Sequence, residues 1–221
     1  MRRVSDSLLA LQASLDDLPL FPLPEMVFFP GVGLPLHVFE PRYRVMVKDC
    51  MAKGGALAIV LLLPGADEAG FPRIARVAGG GVIVEHEALP DGRSNVLVQG
   101  LARLELEELP FIPQYRRAKA RILREPHSPV DEGDRAALVS AATSFARAIR
   151  ERDASFDLRL PQELDTAHLA DVCAFQLLTS AESRQRVLET LDPGRRVRMV
   201  IEQLMLQKSS LGRASSPHSL N

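Results

Sequence analysis

Hydrophobic and polar residues alternate along the first half of this chain with a period of two and recur along the second half with a helical period. The change falls at residues 126–129, a Pro-His-Ser-Pro stretch that reads as a boundary. Before it, residues 57–63 form a continuous apolar run whose length and Ile-Val content favour a strand buried on both faces. Residues 65–72 read as a loop and 73–78 as a half-exposed strand. The glycine triplet 79–81 then punctuates, and Val82, Val84, His86 and Ala88 face opposite to Ile83, Glu85 and Glu87. Pro90-Asp91-Gly92-Arg93 separates that run from a second alternating run over 95–107, which is a hairpin signal. Gly100 marks a bulge or bend within it, and 114–124 reads as a final strand.

Helical spacing appears in two places before the boundary. Leu8, Leu11, Leu15 and Leu18 share one helical face, and residues 41–53 read as a helix with Pro41 in its first turn, Val45, Met46 and Cys50 inside, and Gly54-Gly55 ending it. After the boundary, Leu138, Ala142, Phe145 and Ile149 define one helix. Leu169, Val172, Cys173 and Gln176 define a second, starting near Pro161. A third is capped by Thr179 with Glu182, and a fourth opens on Asp192-Pro193 with Val197, Ile201 and Leu204 inside.

Residues 18–44 depart from both periods. They contain six prolines, Pro19, Pro22, Pro24, Pro30, Pro35 and Pro41, among mostly large apolar residues. Disordered proline-rich linkers are polar, so this stretch is expected to fold into the core. Proline lacks the ladder donor and sets its predecessor extended, so the strands here are expected to be short and to lie at edges or bends.

The run Leu-Pro-Leu-Phe-Pro-Leu-Pro, then Phe-Pro-Gly, then Leu-Pro-Leu-His-Val-Phe-Glu-Pro-Arg-Tyr-Arg resembles the opening of the Lon protease amino-terminal, substrate-binding domain. Leu89-Pro90-Asp91-Gly92-Arg93 with the following Val98-Gln99-Gly100 and Leu101-Ala102-Arg103-Leu104 is similar to its later hairpin, and Leu177-Leu178 and residues 185–189 to its helices. The resemblance covers residues 18–207. It implies an α+β fold: a PUA-like bent β sheet or barrel lobe with a short helix, followed by a carboxy-terminal helical bundle. The expected organisation is an amino-terminal extension (1–17), a β-rich lobe (18–125), a helical lobe (126–208) and a disordered tail (209–221). It also implies recognition of polypeptide without the ATPase and Ser-Lys peptidase modules that follow in full-length Lon proteases.

Composition narrows the alternatives. The chain has 221 residues, 46% hydrophobic and 25% charged, enough apolar material for a sizeable core. A net charge of −1 gives no bulk attraction to nucleic acid or an anionic membrane. The two cysteines, Cys50 and Cys173, belong to no metal-ligand cluster and read as buried, reduced thiols of a cytoplasmic protein; nothing favours a disulfide between them. The start of the chain has no secretory pattern, and the apolar run 56–64 is too short to span a bilayer.

Catalytic and cofactor motifs are missing. There is no phosphate-cradling G-x-x-x-x-G-K-[ST], no G-x-S-x-G elbow and no H-E-x-x-H pair, and neither cofactor nor metal is expected. On a strand, Glu85 and Glu87 point away from His86, so the three do not converge on an ion. The candidate polypeptide-binding residues are those of the most specific run: Phe29, Pro30, Leu36, His37, Phe39, Glu40, Arg42 and Tyr43. Each also has a structural reading. His37 donates to a backbone carbonyl or lines a groove. Glu40 caps the helix through its side chain or backbone. Arg42 pairs with a carboxylate of the β lobe or meets bound polypeptide, and Tyr43 seals the core or offers a surface.

Two functional readings follow. In the first, a groove of the β lobe holds unfolded or hydrophobic polypeptide, with a separate protease or chaperone as a further partner and no membrane. In the second, the five basic residues of 116–124 form an RNA-binding stripe on a PUA-like fold. Pairing of that stripe with Glu105, Glu107 and Glu108 across the sheet disfavours RNA. A hydrolase with scattered residues is the third and weakest reading. Oligomeric state, and the role of the Leu8-to-Leu18 face in it, is open.

Overall fold

Proline placement explains how the first strand fits its sheet. In the computed structural model, which describes residues 4–111, 114–161 and 163–214, β1 (Leu18–Leu23) follows helix α1 (Val4–Ala13). The sheet continues with β2 (Gly33–Val38), β3 (Ala56–Ala66), β4 (Pro72–Ile74), β5 (Val77–Ala88), β6 (Ser94–Glu108) and β7 (Arg117–Ile122), with helix α2 (Pro41–Ala52) between β2 and β3. β1 is not the edge strand that its prolines suggest. It pairs antiparallel with β7 at Leu18 and Pro19 and parallel with β3 from Leu20 to Leu23. Each half of β1 therefore has its own partner. The Leu20 N–H donates toward β7, to the Arg116 carbonyl at 2.9 Å. By alternation the Pro22 nitrogen faces the same side, past the last β7 pair, and the Pro19 nitrogen faces the other side, before the first β3 pair. Neither proline removes a ladder bond.

This double pairing closes the ring β1-β7-β6-β5-β3, with β2 added on β6 and β4 added at the edge of β3. The glycine triplet does not punctuate the sheet but lies inside β5, pairing with β3 on one side and β6 on the other. Its role is close approach. A Cβ on Gly79 would stand 2.1 Å from the Phe28 carbonyl oxygen, and one on Gly100 would stand 2.1 Å from that of Phe29. The segment between β1 and β2 thus crosses against bare backbone, which only glycine permits. Gly31 N–H donates to the Gly100 carbonyl and Gly100 N–H to the Val32 carbonyl, at 3.0 and 2.8 Å. Phe28 and Phe29 are fully buried at this crossing. The register slips by one residue at Leu101, between the Gly80–Ala102 and Gly81–Gly100 pairs, which is the bulge expected near Gly100.

α1 ends at Ala13, so Leu15 and Leu18 are not on its face: Leu18 is already in β1, Leu11 is buried, and Leu8 and Leu9 are exposed. The loop expected over 65–72 is shorter, since β3 runs to Ala66 and β4 begins at Pro72.

The chain divides into two compact units between Arg124 and Glu125. The second holds α3 (Glu132–Arg150), α4 (Thr166–Leu177), α5 (Ala181–Glu189) and α6 (Pro193–Ala214). α4 starts at Thr166, not near Pro161, because Asp165 caps it by accepting from the His168 N–H at 2.9 Å. Ser180, not Thr179, caps α5; Thr179 bonds Gln207 instead. α6 continues through residues 209–214, which were expected to be disordered; the rest of that tail lies outside the described residues. The fully buried Arg196 sits within this unit. Its Nε is 3.0 Å from the Asp171 carboxylate, one Nη 2.9 Å from Glu125, and the other donates to the Thr190 carbonyl at 3.0 Å.

Candidate functional site

The start of α2 builds one wall of a cleft of about 280 Å³ in the first unit. Pro41 fits the first turn, where no donor is needed. The Glu40 carbonyl accepts from the N–H groups of Tyr43 and Arg44, so its backbone, not its carboxylate, closes the helix end. The carboxylate is left to hold Arg42 at 2.8 Å, and among the described residues no carboxylate of the sheet does so. Arg42 in turn lies over the Tyr43 ring, 4.5 Å from its centroid. Tyr43 packs on Phe21 at 4.2 Å between centroids, and burial pushes its phenol above the ordinary tyrosine range.

Pro22, Leu23 and Leu62 line the floor beside Tyr43. The opposite wall comes from the β4 region and from residues before β7: Phe71, Pro72, Phe111, Tyr115 and Arg116. Phe71 and Phe111 contact each other at 4.9 Å between centroids, yet are 36% and 48% exposed. Two large aromatic rings that meet in solvent leave apolar surface unburied. Arg116 is fixed rather than free: Glu108 binds its guanidinium at 2.8 and 2.5 Å, and it donates to the Pro72 carbonyl. Tyr115 donates to Asp49 at 2.8 Å, and its phenol is raised by burial and by that bond. β4, which contributes Pro72, is an edge strand.

The eight residues singled out from the sequence fall into three places. Glu40, Arg42 and Tyr43 come together at the cleft. Phe29 and Pro30 are buried at the barrel crossing. Leu36, His37 and Phe39 lie on and just after β2 and do not line the cleft; Leu36 is half-buried and Phe39 is 60% exposed. His37 Nδ1–H donates to the Asn95 side-chain oxygen at 2.8 Å, which leaves Nε2 facing Arg93 at 3.4 Å, so its partners are side chains rather than a backbone carbonyl. The sequence reading missed Phe71 and Phe111. Each stands in a stretch read as connection, next to a proline, where an aromatic has no periodic pattern to join.

The basic strand β7 is matched by acids. Arg121 pairs with Glu105, Arg117 with Asp17 at 2.7 Å, and Lys119 lies opposite Glu107 in the register. Among the described residues no group of three or more His, Cys, Asp or Glu is placed to hold a metal ion, and no helix is long and apolar enough to cross a membrane.

This α+β architecture recurs in known proteins. The chain belongs to the family of the ATP-dependent protease La (LON) substrate-binding domain, whose model it matches over residues 17–205. It is similar to the Lon N-terminal domain protein from Xanthomonas campestris, with a TM-score of 0.61 and 25% identity over 84% of this chain and 97% of that one. The N-terminal domain of the Mycobacterium avium complex Lon protease shares the fold, with a TM-score of 0.63 at 16% identity, covering 86% of this chain and 98% of that one. Among curated relatives, the Lon proteases of Roseiflexus castenholzii and Escherichia coli are 30% and 28% identical, over 88% and 82% of this chain. The chain spans 24% of the length of each of these two relatives.

Proposed function

We propose that this chain is a non-catalytic recognition module that binds unfolded polypeptide with exposed apolar side chains, in the cleft between the start of α2 and the Phe71–Phe111 pair. The observation that carries this reading is that pair, held in mutual contact but open to solvent above an apolar floor. An apolar side chain entering the cleft would cover both rings. The adjacent edge strand β4 offers backbone groups to an extended segment, and main-chain pairing has little sequence preference. That combination selects unfolded chains, because folded ones bury both their apolar residues and their strand edges.

The family supports polypeptide as the ligand class. A separate protease or chaperone is the natural recipient of a captured chain, and a reducing cytoplasm suits the two buried free thiols. Titration of one labelled client in its unfolded and its folded form tests the reading. Micromolar-range binding of the unfolded form alone is expected, as for a transient interaction; equal binding of both forms, or of neither, overturns it.

A further inference from the structure

A second groove, sharing no lining residue with the cleft, lies between α2 and the β5–β6 hairpin. Its volume is about 550 Å³, within the ordinary range of ligand sites. One side is apolar: Val45 and Met51 of α2 face Ala88 of β5, and Met51 is 40% exposed. The other contribution is cationic. Arg44, Lys48 and Arg93 all line the groove, and no aspartate or glutamate does.

The cleft differs in this respect. Arg121, Arg116, Arg117 and Arg42 have carboxylate partners, at Glu105, Glu108, Asp17 and Glu40. Arg93 likewise has Asp91 at 2.6 Å. The side chains of Arg44 and Lys48 have no ion-pair or hydrogen-bond partner among the described residues. They are one turn apart on α2 and so share a face. Arg44 is also held in position. Its guanidinium lies over the hairpin turn, where a Cβ on Gly92 would fall 1.9 Å from its Nη2. Gly92 has φ +79°, so the turn itself demands glycine and the guanidinium occupies the space this leaves. A packed, unpaired guanidinium beside an unpaired ammonium, on the rim of an apolar trough, is an electrostatic half-site.

We infer that this groove docks an acidic amphipathic peptide segment of a partner protein, its carboxylates meeting Arg44 and Lys48 and its apolar side chains covering Val45 and Met51. Charge complementarity selects this occupant: a basic or neutral apolar segment would leave both cations uncompensated, and opposite potentials steer association as well as register. The recognition differs from that of the cleft, where the charges are already paired and apolar surface dominates.

The test is fluorescence anisotropy of the full chain with a labelled soluble peptide of Glu, Leu and Gly, compared with the same peptide carrying Gln for Glu. Lys48 is exposed, so Lys48→Glu leaves the fold intact, and Arg44→Gln with its circular dichroism recorded provides the second variant. The acidic peptide is expected to bind more tightly than its Gln analogue and to weaken with salt. Lys48→Glu is expected to reduce its affinity by about tenfold, as an attractive surface contact becomes repulsive. Phe71→Ala with Phe111→Ala is expected to leave it unchanged, which separates this groove from the cleft whether or not the cleft binds unfolded chains. Equal binding of both peptides, or binding indifferent to Lys48→Glu, overturns the inference. So does self-association of the chain that Lys48→Glu abolishes, which would assign the groove to a second copy.

Discussion

The two units organise their interiors around different objects. In the first, the chain's own backbone crosses the barrel at Phe28–Phe29 and rests on Gly79 and Gly100. In the second, the largest fully buried side chain is an arginine, Arg196, ion-paired with Asp171 and Glu125 and donating to the carbonyl of Thr190. A barrel with small inner residues can admit a strand of backbone, provided that it forms hydrogen bonds to Gly100. A helical unit has satisfied its backbone internally and can only be tied at its centre by side chains. The first arrangement is intolerant of added volume, and the second is intolerant of lost charge.

Removing the charge is the harsher test. Arg196→Met is expected to cost about 3–5 kcal/mol, because Asp171 is left buried beside an apolar side chain. Urea unfolding followed by circular dichroism measures this. Arg196→Met combined with Asp171→Leu is expected to regain much of the loss, since an apolar pair needs no compensation. If the double variant is no better than the single one, the ion pair is not what ties the unit together. Adding volume comes next. Gly79→Ala or Gly100→Ala is expected to destabilise the barrel by about 2–3 kcal/mol through overpacking against the Phe28 or Phe29 carbonyl. A neutral Gly100→Ala in the same denaturation experiment would show that the crossing is not tight.

The units agree in one respect, and this gives a weaker effect. Each buries one free thiol, Cys50 or Cys173, and burial pushes both up to about 12. An unfolded thiol ionises near pH 9 while the folded one stays protonated, so ionisation favours the unfolded chain as pH rises between those values. The stability contribution is whole below pH 9 and falls away toward pH 12. Cys50→Ala and Cys173→Ala are each expected to flatten the alkaline loss seen by thermal melts. Both thiols are also expected to resist a thiol reagent at neutral pH until the protein is unfolded.

Much of this fold was legible because its signals are local. Asp91-Gly92 marks the hairpin, Pro41 the start of α2, and Asp192-Pro193 the start of α6, each through a backbone rule that depends on a few neighbours. The failures share a cause in distant contacts. The glycine triplet looks like a break, and only the Phe28–Phe29 crossing, some fifty positions earlier in the chain, shows why Cβ atoms are excluded there. The prolines of β1 look like edge residues because a sequence does not show that one strand divides its pairing between two partners. Thr179 loses its capping role to Ser180 because Gln207, on another helix, offers it a better bond. The site follows the same pattern. Glu40, Arg42 and Tyr43 were visible in a dense motif, whereas Phe71 and Phe111 become a pair only when β4 and the segment before β7 are brought together.

The smallest stability effect is expected at those two rings, and it is joined to the largest functional one. Phe71→Ala with Phe111→Ala removes partly exposed side chains, so stability is expected to change by no more than about 1 kcal/mol. Affinity for an unfolded apolar client, measured by fluorescence titration of the double variant against the parent chain, is expected to fall by tenfold or more, about 1.4 kcal/mol or above. A folded double variant that binds the unfolded client as tightly as the parent would contradict the assignment of polypeptide recognition to this cleft.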